Sequence, residues 1–345
     1  MRKNWQKGAQ RVKSKTKNLL CADQIRSLVK IHFGESCEVD NITELKGGMF
    51  NAIYRMDRIY EGDRIVLKVG VIPGTPLLTY ERDVMPTEVE CFRLVAEQTT
   101  VPVPKILAFD FSKQHIPSNY FFMTALEGVP LSRVSGKMPS EQLNRIKAEL
   151  ADYLAQMHQI EGPYYGYFTN DPKQQYPTWR EGFTHMFDQI LRDCQTHQVR
   201  LPYERIRRAF ERTAGYLEEV SAPALVEYDC HEGNIFVKRT DATYHIEGIL
   251  DLERAFWGDP LADFPAAFVF TDDIRKESAF LDAYLKASDR IRDYEKSQIK
   301  RYQLYRLYLM LIMTAEIFRY GFFYGQLQAL WAKHQLQKCL RELEK

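Results

Sequence analysis

The chain has 345 residues, of which 45% are apolar and 27% charged, and its formal net charge is +1. That length is ample for a sizeable core and predicts about two lobes, while with the near-neutral balance no whole-protein field argues for nucleic acid or an acidic substrate. The longest apolar run, LYLMLIMTA from Leu307, is far short of the ~20 residues a membrane span needs, and it reads as a buried helix bracketed by Arg306 and Glu316.

The N-terminal stretch MRKNWQKGAQRVKSKTKNLL is basic but has no apolar run of the signal-peptide kind, so it reads as a solvated tail, with contact to a membrane or RNA as the alternative. Cys21, Cys37, Cys91, Cys194, Cys230 and Cys339 are far apart and show no metal spacing. They are expected to be free thiols, which places the protein in a reducing cytoplasm. The first third is β-rich. CEVDNITELKGG, NAIYRMD and RIVLKVG are short β-branched and aromatic runs divided by the turn signals KGGMFN and YEGD, and together they predict an antiparallel meander. PTEVECFRLVAEQTT predicts a helix with Thr87 as N-cap and Phe92 and Val95 on one face, stopped by VPVP. KILAFDF and NYFFMTAL predict two more strands. From about Gly128 the chain turns helical, as the spacing of Leu143, Ile146, Leu150, Leu154 and Met157 shows. Two short strands, NIFVKR and YHIEGIL, interrupt the helices around the turn TDAT. A small β-rich lobe thus precedes a larger helical one, and a cleft between lobes is a favoured ligand site.

The segment LVEYDCHEGNIFV (Leu225 to Val237) puts charged groups between two apolar runs, which costs desolvation energy unless something binds them. Asp229 and Asn234 are five apart, and Asp251 follows seventeen later. If the two strands after Asn234 form a hairpin, its ends meet and Asp251 lies beside Asn234. A carboxylate and an amide oxygen suit a hard cation such as Mg²⁺. Asp229, apart on the loop, is placed to accept a proton from a hydroxyl. A D-x-x-x-x-N run followed by an Asp after a hairpin is the spacing of the catalytic core of kinases. The plain alternative is a turn. Cys230 and His231 are adjacent without partners at metal spacing, so Zn is not expected and His231 reads as a hydrogen-bonded loop residue.

Such a loop needs a nucleotide-binding lobe upstream. Lys68 lies inside the apolar strand IVLKVG, where kinases carry a lysine for the α- and β-phosphates; the alternative is an edge-strand lysine reaching for water. Its expected partner is Glu88 on the next helix. Glu90 competes, but the two point about 200° apart on a helix, and Phe92 shares the face of Glu88. Gly47 and Gly48 in LKGGMFN would let backbone N–H groups approach phosphate oxygens. The backbone of Met123, Thr124, Ala125 and Leu126 is expected, by position, to meet an adenine edge.

Taken in order from about residue 40 to 270, LKGGMFN, IVLKVG, TEVECFRLVAEQTTVPVPKILAFD, FFMTALEGVPL, YDCHEGNIFV and GILDLERAFWGDPLADF resemble the aminoglycoside phosphotransferase and choline kinase family of small-molecule kinases. The resemblance implies an α+β, protein-kinase-like bilobal fold with a small antiparallel β-rich N-lobe and a larger, mainly helical C-lobe. It implies ATP and Mg²⁺ as cofactors and a small-molecule hydroxyl as acceptor. The corresponding division is a basic tail and N-terminal helix over 1–35, a nucleotide-binding N-lobe over 36–127, and over 128–345 a helical C-lobe with the catalytic loop and acceptor site. In this likeness Asp229 is the catalytic base, Asn234 and Asp251 the metal ligands, Lys68 the phosphate lysine and Glu88 its partner. Asp259 and Asp263 read as structural, with Asp263 capping the following helix. Glu227 stands where the family usually has His, and Glu232 where it usually has Pro. Glu227 motivates the alternative of a nucleotide-binding pseudokinase or regulatory protein without turnover. A protein acceptor is disfavoured because no APE-like segment follows GILDLE. The mixed signs beyond Thr271 weakly disfavour a polycationic aminoglycoside. The aromatic run IFRYGFFYG (Ile317 to Gly325), with Tyr165, Phe168 and Trp179, reads either as acceptor pocket or as helix core.

Overall fold

The computed structural model describes residues 16–46, 50–82, 84–319 and 322–345. The chain divides into two compact units, each interrupted in sequence. The first comprises Met1–Leu77, Pro104–Leu126 and Phe318–Leu327; the second comprises Leu78–Val103, Glu127–Ile317 and Gln328–Lys345.

The first unit is an antiparallel sheet with a helix on it. Its strands are β1 (Val39–Glu44), β2 (Ala52–Arg58), β3 (Arg64–Val69), β4 (Ile106–Asp110) and β5 (Tyr120–Thr124), in the order β1-β2-β3-β5-β4. The helix Ala22–Phe33 buries Ile25, Leu28 and Val29, a spacing that makes one apolar stripe. These join Ile65, Leu67, Val69, Tyr120 and Phe122 in a single core. Because side chains alternate along a strand, Val66 and Lys68 then point to the opposite face. Lys68 is only 3% exposed and lies between Ile53 of β2 and Phe121 of β5. Strand β3 is therefore central, and the edge-strand reading of Lys68 is excluded.

The second unit carries the helices. Val84–Gln98 belongs here and starts three residues ahead of the expected N-cap Thr87. Pro86 falls in its first turn, where a missing N–H costs nothing. Longer helices are Ser140–Met157, Trp179–Thr196, Tyr203–Thr213, Ser278–Ala287 and Lys296–Ala315, and residues 328–344 of Phe322–Glu344 also belong to this unit. Short strands β6 (Val129–Pro130), β7 (Gly166–Tyr167), β8 (Ala224–Val226), β9 (Ile235–Thr240), β10 (Thr243–Ile249) and β11 (Phe256–Gly258) form two sheets, β10-β9-β6 and β7-β11-β8. The apolar run from Leu307 is buried inside Lys296–Ala315, and no described helix is long and apolar enough to cross a membrane.

An aromatic core fixes this unit. Trp179 stacks on Phe256 at 5.7 Å, Phe256 meets Tyr228 at 5.1 Å, and Tyr228 meets Tyr308 at 5.8 Å. The buried Asp259 ties that core to the Lys296–Ala315 helix. Its Oδ2 accepts from Arg301 Nη1 at 2.7 Å and from the Tyr305 hydroxyl at 2.6 Å, and its Oδ1 accepts from the Leu261 N–H. Tyr305 in turn accepts from Trp179 Nε1 at 2.8 Å. Asp259 is thus structural. Asp259→Ala would leave the buried Arg301 charge uncompensated, and chemical denaturation is expected to show a loss of about 3–5 kcal/mol; a loss within experimental error would mean that Arg301 finds another partner.

Candidate active site

Between β8 and β9 the chain makes the loop 227–234. Two buried groups hold its start. Asp263 Oδ1 accepts the Tyr228 N–H at 2.5 Å, and its Oδ2 accepts the Glu227 N–H at 3.1 Å and His158 Nε2 at 2.8 Å. Asp263 was expected to cap its own helix, but no side chain caps that helix; the carboxylate secures the loop instead. Tyr228 is left-handed, with φ +63. Glu227, wholly buried, accepts the Asp229 N–H on Oε2 at 3.0 Å. Burial, and then the carboxylates of Asp263 and Asp229, push the Glu227 acid well above the usual carboxylate range.

The loop closes on itself. The Asp229 carbonyl accepts the His231 N–H at 2.7 Å and Asn234 Nδ2 at 3.0 Å, while the His231 ring takes the Gly233 N–H. His231 is accordingly a hydrogen-bonded loop residue, and Cys230 is buried away from it. The Leu250 N–H donates to the Asn234 carbonyl at 2.9 Å, so the ends of the β9–β10 hairpin do meet. Asp251 follows directly, in a left-handed conformation with φ +69. With Asn234 Nδ2 donating to the Asp229 carbonyl, Oδ1 is the remaining polar atom of the amide.

Carboxylate oxygens of Asp251, Glu253 and Glu88 all lie within 4.8 Å of one another. Glu88 is 1% exposed and shares its buried face with Phe92, whereas Glu90 is exposed. All of these donors are hard oxygens, the set that suits Mg²⁺.

The Asp229 carboxylate is approached by Arg254, whose Nε lies 3.5 Å from Oδ2. Arg254 Nη2 also donates to Glu316 Oε1 at 2.8 Å, and the Tyr80 hydroxyl donates to the same oxygen at 2.6 Å. The guanidinium lies 5.6 Å from the Tyr80 ring centroid. Burial raises the pKa of Asp229 and Arg254 opposes the rise. Arg254 and its partners were missed from sequence. Its one signal was a basic residue three places after Asp251, and Tyr80 and Glu316 gave none.

Of the other predicted positions, Gly47 and Gly48 lie outside the described residues. Met123 and Thr124 end β5, and Ala125 and Leu126 follow. The Thr124 N–H donates to the Lys105 carbonyl and the Ala125 N–H to the Arg64 carbonyl, so both are already used. Trp179 and Tyr165 are buried in the core and also line a pocket of the second unit, and Phe168 packs on Trp257 at 4.7 Å. Of IFRYGFFYG, 320 and 321 and the side chains of 322–324 fall outside the described residues. A pocket of ≈ 1060 Å³ in the second unit is lined by Tyr164, Tyr176, Arg180 and Asp188 among others, and none of Asp229, Asn234 and Asp251 lines it. All six cysteines are free.

The model of the phosphotransferase enzyme family matches residues 42–298, about three quarters of the chain. The chain belongs to the phosphotransferase enzyme family. Solved structures similar to this phosphotransferase include a thermostable mutant of aminoglycoside phosphotransferase APH(4)-Ia in ternary complex with AMP-PNP and hygromycin B, with 18% identity and a TM-score of 0.61 over 92% of this chain and 98% of that one. ADP-bound aminoglycoside phosphotransferase APH(2'')-Ib has 14% identity and a TM-score of 0.59 over 93% and 99%. The streptomycin–ATP–APH(2")-IIa ternary complex has 14% identity and a TM-score of 0.56 over 94% and 97%. These likenesses show the protein-kinase-like fold expected from the sequence. No curated protein matches the chain.

The raised pKa of Asp229 has a consequence for stability. The folded protein holds this proton to higher pH than the unfolded chain does, so ionised Asp229 costs stability at neutral pH, and the cost disappears as pH falls through the folded pKa towards the ordinary value of 3.8. Asp229→Asn is therefore expected to melt no lower than the parent at pH 7, with the difference shrinking as pH falls. A variant that melts lower at pH 7 would show that the Arg254 pairing outweighs burial.

Proposed function

We propose that this phosphotransferase moves the γ-phosphoryl group of ATP to a hydroxyl of a small molecule, and that it works in the cytoplasm, as six free thiols support. One observation carries the reading. The hairpin bond from Leu250 N–H to the Asn234 carbonyl sets Asn234 and Asp251 at the two meeting ends of one hairpin, next to the loop that bears Asp229, which supports reading them as a pair.

Asp229 is the base. Its carboxylate accepts the proton of the attacking hydroxyl, with Arg254 Nε 3.5 Å from Oδ2 and His231 Nε2 3.8 Å from Oδ1. The raised pKa makes Asp229 a better proton acceptor than an ordinary surface carboxylate. Asn234 and Asp251 would hold Mg²⁺, which when bound neutralises phosphate charge. Lys68, a buried ammonium on the central strand β3, is assigned to the α- and β-phosphates. Gly47 and Gly48 are assigned to phosphate oxygens through their backbone. Met123, Thr124, Ala125 and Leu126 keep the adenine edge, and the used N–H groups of Thr124 and Ala125 confine those two to their carbonyls. Glu88 stays the expected carboxylate for Lys68, and its place beside Asp251 and Glu253 supports a part in holding the cation as well.

Two variants test the reading. Asp229→Ala is expected to lower kcat about 10²–10⁴-fold, the scale of losing a general base, and an unchanged rate would remove Asp229 from that role. Asp251→Asn is expected to abolish the thermal shift caused by MgATP, which in the parent at ~100 times Kd corresponds to about 2.7 kcal/mol. A shift kept in the variant would remove Asp251 from the metal site. An acceptor panel run with the parent separates a kinase from a protein that binds nucleotide without turnover.

A further inference from the structure

Glu227 stands two residues before the proposed base, and its surroundings are unusual for a glutamate. It is 0% exposed. Oε2 accepts the Asp229 N–H at 3.0 Å, Oε1 meets no nitrogen or oxygen partner, and the Cys230 thiol is the other group in hydrogen-bonding reach of the carboxyl. The charged groups facing it are carboxylates: Asp263 behind the loop, Asp229 on it, and Asp251 from the end of the hairpin. The neighbouring basic groups are committed elsewhere, the His158 ring hydrogen-bonded to Asp263 and the Arg254 guanidinium against Asp229 and Glu316. The thiols of Cys230 and of Cys91, on the Val84–Gln98 helix, complete the surround, and burial keeps both protonated. Among these groups an ionised carboxylate has no counter-charge of its own.

We propose that Glu227 is a positioning residue of the transfer reaction, acting as an uncharged acid that holds Asp229 by its backbone N–H. The inference rests on the phosphotransfer reading above. Its chemical content is that glutamine can replace Glu227, because an amide offers the same acceptor to the Asp229 N–H and a neutral donor in place of the acid O–H. Aspartate cannot, because one methylene fewer withdraws the acceptor.

The experiment compares Glu227→Gln, Glu227→Asp and Glu227→Ala with the parent, reading kcat, KM for ATP and the pH profile. The Gln variant is expected to keep kcat within about threefold, with the acid limb of its profile unmoved, while Asp and Ala lose about tenfold or more in kcat at unchanged KM. Should the Ala variant fail to fold, the contrast between Gln and Asp decides. Infrared spectroscopy of the nucleotide-free parent at pH 7 is expected to show the carbonyl stretch of a protonated carboxyl that Glu227→Gln lacks. The proposal is overturned if Gln is as slow as Asp, or if Gln moves the acid limb to lower pH, since that shift means a negative charge has been taken from beside Asp229. It is overturned equally if Asp matches the parent, or if the protonated-carboxyl band is missing. A parent that transfers no phosphoryl group to any acceptor sinks the phosphotransfer reading, while the infrared band still reports the charge of Glu227 by itself.

Discussion

A single buried carboxylate, that of Asp263, organises the loop on which the site is built. It accepts from the backbone of Glu227 and Tyr228 and from the His158 ring, and charge-assisted hydrogen bonds of this kind are about twice as strong as neutral ones. His158 follows the Ser140–Met157 helix and meets the hydroxyl of Tyr284 on Ser278–Ala287 through its other nitrogen at 2.6 Å. The loop is therefore pinned to two helices of its own unit rather than left to its local turn chemistry. Everything downstream inherits that placement: the backbone of Asp229, the turn at His231, the amide of Asn234 and, through the hairpin, Asp251.

The same neighbourhood gathers acids. Glu227, Asp229, Asp251, Glu253, Glu88 and Glu316 all belong to the second unit, and Arg254 bridges two of them. Like charges brought together out of water raise one another's pKa values, and a fold selected for stability alone would avoid them. A site that must take up a divalent cation and a proton has use for such an arrangement. In the proposed function the excess of negative charge would give a cation its affinity, and the raised pKa of Asp229 would give the proton a destination.

What could be read beforehand follows from how far each inference reached along the chain. The strands were legible from their β-branched runs, and the meeting of Asn234 with Asp251 followed from hairpin geometry, since both lie at the ends of one local element. The burial of Glu88 rather than Glu90 followed from helical phase. The role of Asp263 was misread because capping is the local explanation, and its true partners, Glu227 and Tyr228, lie more than thirty residues earlier. Arg254, Tyr80 and Glu316 meet only in three dimensions, across separations that no periodicity encodes. The start of the Val84–Gln98 helix was placed late because Thr87 is a good cap residue, while the structure tolerates Pro86 inside the first turn.

Tyr228 adopts a left-handed backbone that suits glycine or asparagine and costs a bulky residue about 1–3 kcal/mol. Its ring lies among Phe256 and Tyr308, and its hydroxyl reaches the Tyr305 carbonyl. The bend before Asp229 is thus enforced by an aromatic side chain driven inward, against the chain's own torsional preference. Such a joint resists drift: relaxing the torsion requires pulling a whole ring out of the hydrophobic interior, so the direction in which Asp229 leaves the core is set by oil rather than by the peptide.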